Sequence, residues 1–594
     1  MSEKKAIKGG EFLIRETEAA DIFIPEEFNE EQRMMAQSCK DFTETQVLPN
    51  IDALDQHDRK LSVKLMKDAG ELGLLGISLP EEYGGFGQNF VTSMLTTEEM
   101  GQGYGFAVTF SAHTGIGTLP ILYFGTEEQK KKYLPKLASG EYLGAYALTE
   151  ANAGSDPNSG TTKATLSEDG KSYTLNGAKI WITNGGIADL FIVYAKIDDD
   201  KNLSAFIVER DTPGFTIGAE EEKMGIKAAS TVQLYFDNVK IPAENLLGSR
   251  DGGFKIALYI LNLGRIKLSG ATLGAGKATI SNAVQYANER KQFGQFLSSF
   301  GAIKYKLAEM TIRNFASESL TYRASQNIDD AIDSYIAEGM DKDKAGIEGI
   351  RQFAIEASIA KVFGSETLDY IVDEGVQIYG GMGYSAETPV ERAYRDSRIN
   401  RIFEGTNEIN RMLIVAELLK RGMKGELDLL TPAKAVAGEL MQIPDFGSTT
   451  MDYFEEKKKY ILNFKKAILM IAGAALQKFT KTIQDEQEIL MGVSDMIMCT
   501  YAAESTMLRV EKLNGMYDEN KISIYKDILD VFIADQAAKI NKFGVDLTNY
   551  FAEGDEKQGM LMGMKRFTKT APVDVVSARR HIADRIIEDN KYNL

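Results

Sequence analysis

A block of about a hundred residues starting at Tyr146 interrupts the texture of an otherwise helical chain. Upstream of it, from about Glu30 to Gly140, Leu65, Ala69, Leu72 and Leu75 recur at three- to four-residue spacing, and EEQKKKYLPKL is amphipathic. Inside the block the period changes. SYTLNGAKIWITNG, DLFIVYAKI, SAFIVER and VQLYFDNVKI are short runs rich in β-branched and aromatic residues, separated by Gly, Asn and Asp turns. After Gly252 and Gly253 the helical period returns, with Ile280, Ala283 and Ala287 on one face of a helix that ends in ERKQFG, and it continues past Arg411. Beyond about Leu430 lies a further helical region containing YILNFKKAILMIAGAALQKF and the segment Asp485 to Lys512. The expected fold class is therefore α+β and mostly α. Its parts are an N-terminal extension (1–29), an N-terminal helical domain (30–144), a middle, barrel-like β-domain (145–247), a helical bundle (248–425) and an appended helical domain (426–594). An isolated β-domain between helical ones is not the alternating β/α pattern of a dinucleotide fold.

Composition removes several functions. The chain of 594 residues is 44% hydrophobic, enough for a large core, and its formal charge of -18 would repel nucleic acid. Cys39 and Cys499 form no CxxC pair, and His57, His113 and His581 are scattered, so no metal site and no histidine-based triad is expected. Glu3, Glu11, Glu16 and Glu18 without an apolar stretch argue against a secretory signal or transit peptide, and a cytoplasmic location is expected. Met100 to Thr126 is uncharged and long enough to cross a bilayer, but its glycines, Pro120 and His113 favour a buried wall. GATLGAGKAT near Lys277 fails as a phosphate loop: Ala271 stands where the first glycine should be and Ala278 where Ser or Thr should be. Its glycines are read as close helix packing.

Three blocks carry chemistry. YALTEANAGSDPNSG (146–160) opens the β-domain, IWITNGG (180–186) follows, and QIYGGMGY (377–384) with RDSRINRIFEGTNEINR (395–411) closes the helical bundle. Together they resemble the acyl-CoA dehydrogenase family. The first matches that family's ALTE-x-x-x-GSD signature, and Gln377, Gly380, Gly381, Gly383, Glu387, Arg392 and Asp396 follow its second. The resemblance runs from about residue 30 to 420, and the appended region makes the chain similar to the very-long-chain branch.

The resemblance implies FAD as cofactor and α,β-desaturation of a fatty acyl-CoA to a trans-2-enoyl-CoA in β-oxidation, with electrons passed to an electron-transferring flavoprotein. It places Trp181 on the flavin, Thr183 near N5 and Thr149 at the pyrimidine side, with Tyr146, Leu148 and Ser155 in the same turn. Arg290, Gln292 and Phe293 of ERKQFG, the Gln377–Gly381 loop with Gly380, and Thr406 with Glu408 are assigned to pyrophosphate and ribose. Because family cofactor sites commonly draw on two subunits, a homo-oligomer is implied, a dimer being favoured. Glu404 matches the family base, and burial between Phe403 and Gly405 should raise its pKa. Some branches place the base just before the Arg of LNLGR; here that position is Gly264, which cannot take a proton. Glu150 is assigned a structural role in the flavin turn.

Ser155, Asn262, Arg265 and Gly405 match positions lining the thioester and pantetheine path. Ser111 and Ala112 of FSAHTGIG are small, which leaves room for long acyl chains. Ala467 to Leu476, flanked by Lys465, Lys466 and Lys478, reads either as a helix buried against its neighbour, the favoured reading, or as a peripheral membrane patch. Two alternatives stay open: an acyl-CoA oxidase that gives electrons to oxygen, and a family member with an additional assembly role.

Overall fold

In the computed structural model, residues 7–440 and 451–594 are described. The eight strands β1 (Gly144–Ala147), β2 (Lys163–Leu166), β3 (Ser172–Thr183), β4 (Leu190–Ile197), β5 (Ser204–Glu209), β6 (Phe215–Glu220), β7 (Thr231–Pro242) and β8 (Leu246–Leu247) form the β-domain. Their order is β6-β7-β3-β2-β4-β5-β8, with β1 parallel to β4 on a branch. The run LFIVYAKI of β4 is apolar on both faces because both are covered. Phe191 and Val193 pack with Phe206 and Val208 inside the sheet, while Leu190, Ile192 and Tyr194 pack with helical residues such as Leu263 and Ile266.

Three long helices, Gly253–Glu289, Gly301–Ala337 and Ala354–Tyr379, build the bundle beside the sheet. Glycines let the first of them approach its neighbours closely: a Cβ on Gly274 would fall 1.8 Å from the carbonyl oxygen of Glu98, and one on Gly276 2.4 Å from Oδ1 of Asn314. Lys277 meanwhile pairs with Glu98 at 2.5 Å and with Glu318. These residues are helix packing, as the failed phosphate-loop spacing indicates. Met100–Thr126 is likewise no continuous span. It breaks into Gly105–Ser111, a wider turn at Ala112–Gly117 and Leu119–Phe124, with His113 buried and bonded to the Leu137 carbonyl at 3.0 Å and the Gly144 amide at 3.0 Å.

The appended helices, led by Tyr453–Lys478, Gln487–Asn514 and Glu519–Phe551, pack on the bundle in one continuous apolar core. Ala467, Ile468, Ile471 and Ala475 point into it, Lys465 pairs with Glu504 at 2.5 Å, and Lys466 pairs with Glu439 at 2.7 Å. These contacts fit the favoured reading of a helix buried against its neighbour, with Ala472, Gly473, Ala474 and Leu476 half-buried. Among the described residues no helix is long and apolar enough to cross a membrane.

The sequence offers little for the segment before residue 30, yet its described part, from residue 7, is tied down at several points. Phe12, Leu13, Ile22 and Ile24 are buried in the same core as the appended helices, and Phe12 lies 4.5 Å from the Tyr501 ring, centroid to centroid. Arg509, itself buried, pairs with Glu26 at 2.8 Å, and Lys465 donates to the Arg15 carbonyl at 2.9 Å.

Candidate active site

A cavity of about 1230 Å³ opens where the β-domain meets the Gly253–Glu289 helix and the turn before the Asn407–Met423 helix. Tyr146, Leu148, Thr149, Ser155, Trp181 and Thr183 line its β-side, and Gly264, Arg265, Glu404, Gly405 and Thr406 its helical side. The register between β3 and β7 slips between Lys179 and Ile182, a bulge that turns the backbone of Trp181 to φ 59°. Its indole, the sole one in the chain, is consequently 55% exposed and forms part of the cavity wall. A large ring left out of the core at a bulge presents a flat apolar face to the cavity.

Glu150 is not free for catalysis. Burial alone would raise its carboxyl, but Lys179 at 2.7 Å and the amides of Thr161 and Thr162, at 2.6 and 3.1 Å, hold it at about 2. Lys179 is lowered to about 8 by burial, offset in part by Glu150, so both partners stay charged at neutral pH. The pair braces the turn that carries Thr149, since Lys179 also donates to the Leu148 carbonyl at 3.0 Å.

Glu404 and Gly405 take left-handed conformations in succession, φ 58° and 77°. For Glu this is an unfavourable backbone that the surroundings must enforce. They do so through the carbonyls of the turn. Arg265 Nε donates to Glu404 O at 3.1 Å, Lys361 Nζ to Gly405 O at 2.8 Å, and Asn410 Nδ2 reaches Gly405 O at 2.8 Å and Thr406 O at 3.0 Å. Arg265 is steadied by Asn262 Oδ1 at 2.7 Å, Lys361 by Asn407 Oδ1 at 2.7 Å, and Thr406 caps the next helix by accepting from the Ile409 amide at 3.2 Å.

With its backbone fixed, the Glu404 side chain lies over Gly264, where a Cβ would come within 2.6 Å of Oε2. Part of the residue is open to the cavity, but Oε2 is enclosed and has no hydrogen-bond partner among the described residues. Burial raises its pKa to about 7 against the opposing pull of Arg265 and Lys361. The Glu404 amide likewise finds no acceptor among the described residues. Near Glu404, Tyr146 is buried against Tyr194, with ring centroids 5.0 Å apart.

The remaining expected site residues do not line this cavity. Arg290, Gln292 and Phe293 sit on an exposed two-stranded ribbon, Lys291–Gln292 with Gln295–Phe296, and Phe293 is 93% exposed. Gln377, Gly380 and Gly381 lie at the exposed end of the Ala354–Tyr379 helix. The two groups share one end of the bundle, where Tyr286 stacks on Tyr379 with ring centroids 4.0 Å apart. Glu408 is exposed in the first turn of its helix.

Lys361, Asn407 and Asn410 were not singled out from sequence. The signal for Lys361 was a lone cation in the apolar run Ile359–Val362, all of it buried.

Sequence-family models for the N-terminal, middle and C-terminal domains of acyl-CoA dehydrogenase match residues 29–141, 145–239 and 251–419, and a further model of the C-terminal domain matches 463–566. The chain belongs to the acyl-CoA dehydrogenase family. A probable acyl-CoA dehydrogenase of Bacillus subtilis (strain 168) is 45% identical over 99% of this chain and 98% of its own length. The very long-chain specific mitochondrial acyl-CoA dehydrogenase of Bos taurus is 45% identical over 59% of this chain and 52% of its length. Among solved structures, an acyl-CoA dehydrogenase from Bacillus anthracis complexed with FAD superposes with a TM-score of 0.96 at 45% identity, covering 99% of this chain and all of the other. Butyryl-CoA dehydrogenase from Megasphaera elsdenii, 40% identical with a TM-score of 0.59, is covered over 99% of its length but over only 66% of this dehydrogenase. The remaining third here is an addition to a shared core.

Proposed function

We propose that this dehydrogenase binds FAD and converts a long-chain acyl-CoA to its trans-2-enoyl-CoA, with Glu404 as the base. The observation that carries the reading is the unpaired Oε2 of Glu404, enclosed at the cavity wall and raised by burial to about 7. A carboxylate poised near neutrality is matched to abstracting a weakly acidic α-proton.

The residues present fit a flavin. Trp181 offers a flat face, and Thr149 and Thr183 supply hydroxyls on the same wall. When bound, FAD supplies the acceptor for the hydride that leaves the β-carbon. The protein does the rest. Glu404 takes the proton at its carboxylate, and its unengaged amide donates to the thioester carbonyl as negative charge gathers there. Arg265 and Lys361 hold that amide and carboxylate in place through the turn's carbonyls.

Arg290, Gln292, Phe293, Gln377, Gly380 and Gly381 belong in this reading to the cofactor site of a second copy, which makes the active form a dimer. Their exposure at one end of the bundle supports it. Gly101, Ser111 and Ala112 on the wall of the cavity leave room for a long acyl chain. An electron-transferring flavoprotein is the proposed acceptor.

Adding saturated acyl-CoAs of increasing length to the purified flavoprotein without oxygen tests the assignment. Bleaching of the flavin with a long-chain optimum is expected. Absence of bound flavin, or a flavin that no thioester bleaches, refutes it, and reoxidation by air faster than by an electron-transferring flavoprotein would favour the oxidase.

A further inference from the structure

Among the described residues, Lys267 is a cation with nothing to pair with. It is 6% exposed, it lines the cavity, and its ammonium has no hydrogen bond or ion pair among the described residues. Burial lowers it to about 8, and no nearby carboxylate, Glu404 included, offsets that shift. A protein does not ordinarily leave a buried charge uncompensated, because desolvation without a partner is costly. The other buried cations of this region, Arg265 and Lys361, have their acceptors.

The position of Lys267 says where its partner would lie. It follows Gly264, on which the Glu404 carboxylate rests, by three residues, about 4.5 Å along the axis and a little under one turn. Its helical neighbours Leu263 and Ala271 face the opposite wall. Leu263 lies 3.6 Å from a Cβ built on Gly115, and one on Gly101 would fall 2.2 Å from the Ala271 carbonyl. Lys267 therefore stands beyond the base, on the wall shared with Gly101, Gln102 and Ser111.

We infer that Lys267 is a specificity residue, and that the cavity accepts acyl-CoAs whose chain bears a carboxylate at its far end. The inference rests on the acyl-CoA reading above and adds to it a short carboxylate-ended chain, because Lys267 lies only three residues from Gly264. A purely hydrocarbon chain would leave the ammonium unpaired in the complex, whereas a distal carboxylate would form a desolvated ion pair with it.

Matched pairs of saturated acyl-CoAs, ending in methyl or in carboxylate and spanning a range of lengths, are compared on the flavin-loaded wild type, K267M and K267R. At one or more lengths the wild type is expected to use the carboxylate-ended member. K267M should lower its kcat/KM relative to the methyl-ended twin by on the order of 10²-fold, and K267R should restore most of the ratio. The inference is overturned if methyl-ended substrates turn over while every carboxylate-ended one is rejected, or if K267M changes both members equally. Failure of both series would instead overturn the acyl-CoA reading and this inference with it.

Discussion

The carboxylate of Glu404 rests on the α-carbon of Gly264: a Cβ there would lie 2.6 Å from Oε2 and 2.8 Å from Cδ. The two places where a base has been expected in this fold converge on one volume, and it holds one side chain. G264A should displace the Glu404 carboxylate and lower kcat/KM by roughly 10- to 100-fold while flavin is retained. Steady-state kinetics beside the flavin spectrum measure this, and unchanged kcat/KM would show that the contact is not needed.

The pH dependence follows from Glu404. In the proposed mechanism the ionised form is the base, so kcat/KM should rise with pH through about 7, and E404Q should remove bleaching by substrate while leaving yellow protein. Stability runs the opposite way. A carboxyl whose folded pKa is raised stabilises fully below its unfolded value, near 4.5, and loses that contribution as pH climbs through about 7. E404Q should therefore raise Tm at pH 8 more than at pH 4.5, the difference corresponding to up to about 2 kcal/mol of unfolding free energy after allowance for water in the cavity. Equal Tm shifts at both pH values would contradict the assigned environment.

Lys361 tests the turn itself. K361M leaves the Gly405 carbonyl with Asn410 as its remaining side-chain donor and Asn407 Oδ1 without the ammonium, so a loss of about 2–3 kcal/mol in denaturant unfolding is expected. It also removes a cation that pulls the Glu404 pKa down, so the rising limb of the pH–rate profile should move to higher pH. A purely structural lysine would lower stability without moving that limb.

Phe293, 93% exposed on its ribbon, tests the second copy. F293D should reduce dimer in sedimentation and weaken flavin retention together. A variant that stays dimeric and fully yellow would remove Phe293 from both roles.

The sequence was most legible where period or motif is local. The β-block around DLFIVYAKI and the approach of Glu404, Trp181, Thr149 and Thr183 to one cavity follow from short-range pattern and from resemblance. What it did not show is set by tertiary contact. The bulge that turns Trp181 outward is a register slip between β3 and β7, and Lys361 meets Gly405 across 44 residues, so neither has a local signature. The segment before residue 30 was obscure for the same reason: Phe12 and Glu26 find partners nearly five hundred residues away in Tyr501 and Arg509.

That closure has a bearing on biosynthesis. Phe12, Ile22, Ile24 and Glu26 leave the ribosome long before the Gln487–Asn514 helix, yet their places exist only after that helix has been made. Until then the nascent chain carries an exposed apolar strip, and native assembly waits for that helix to emerge. For this enzyme, holding the early segment out of aggregation is a task for the translating cell.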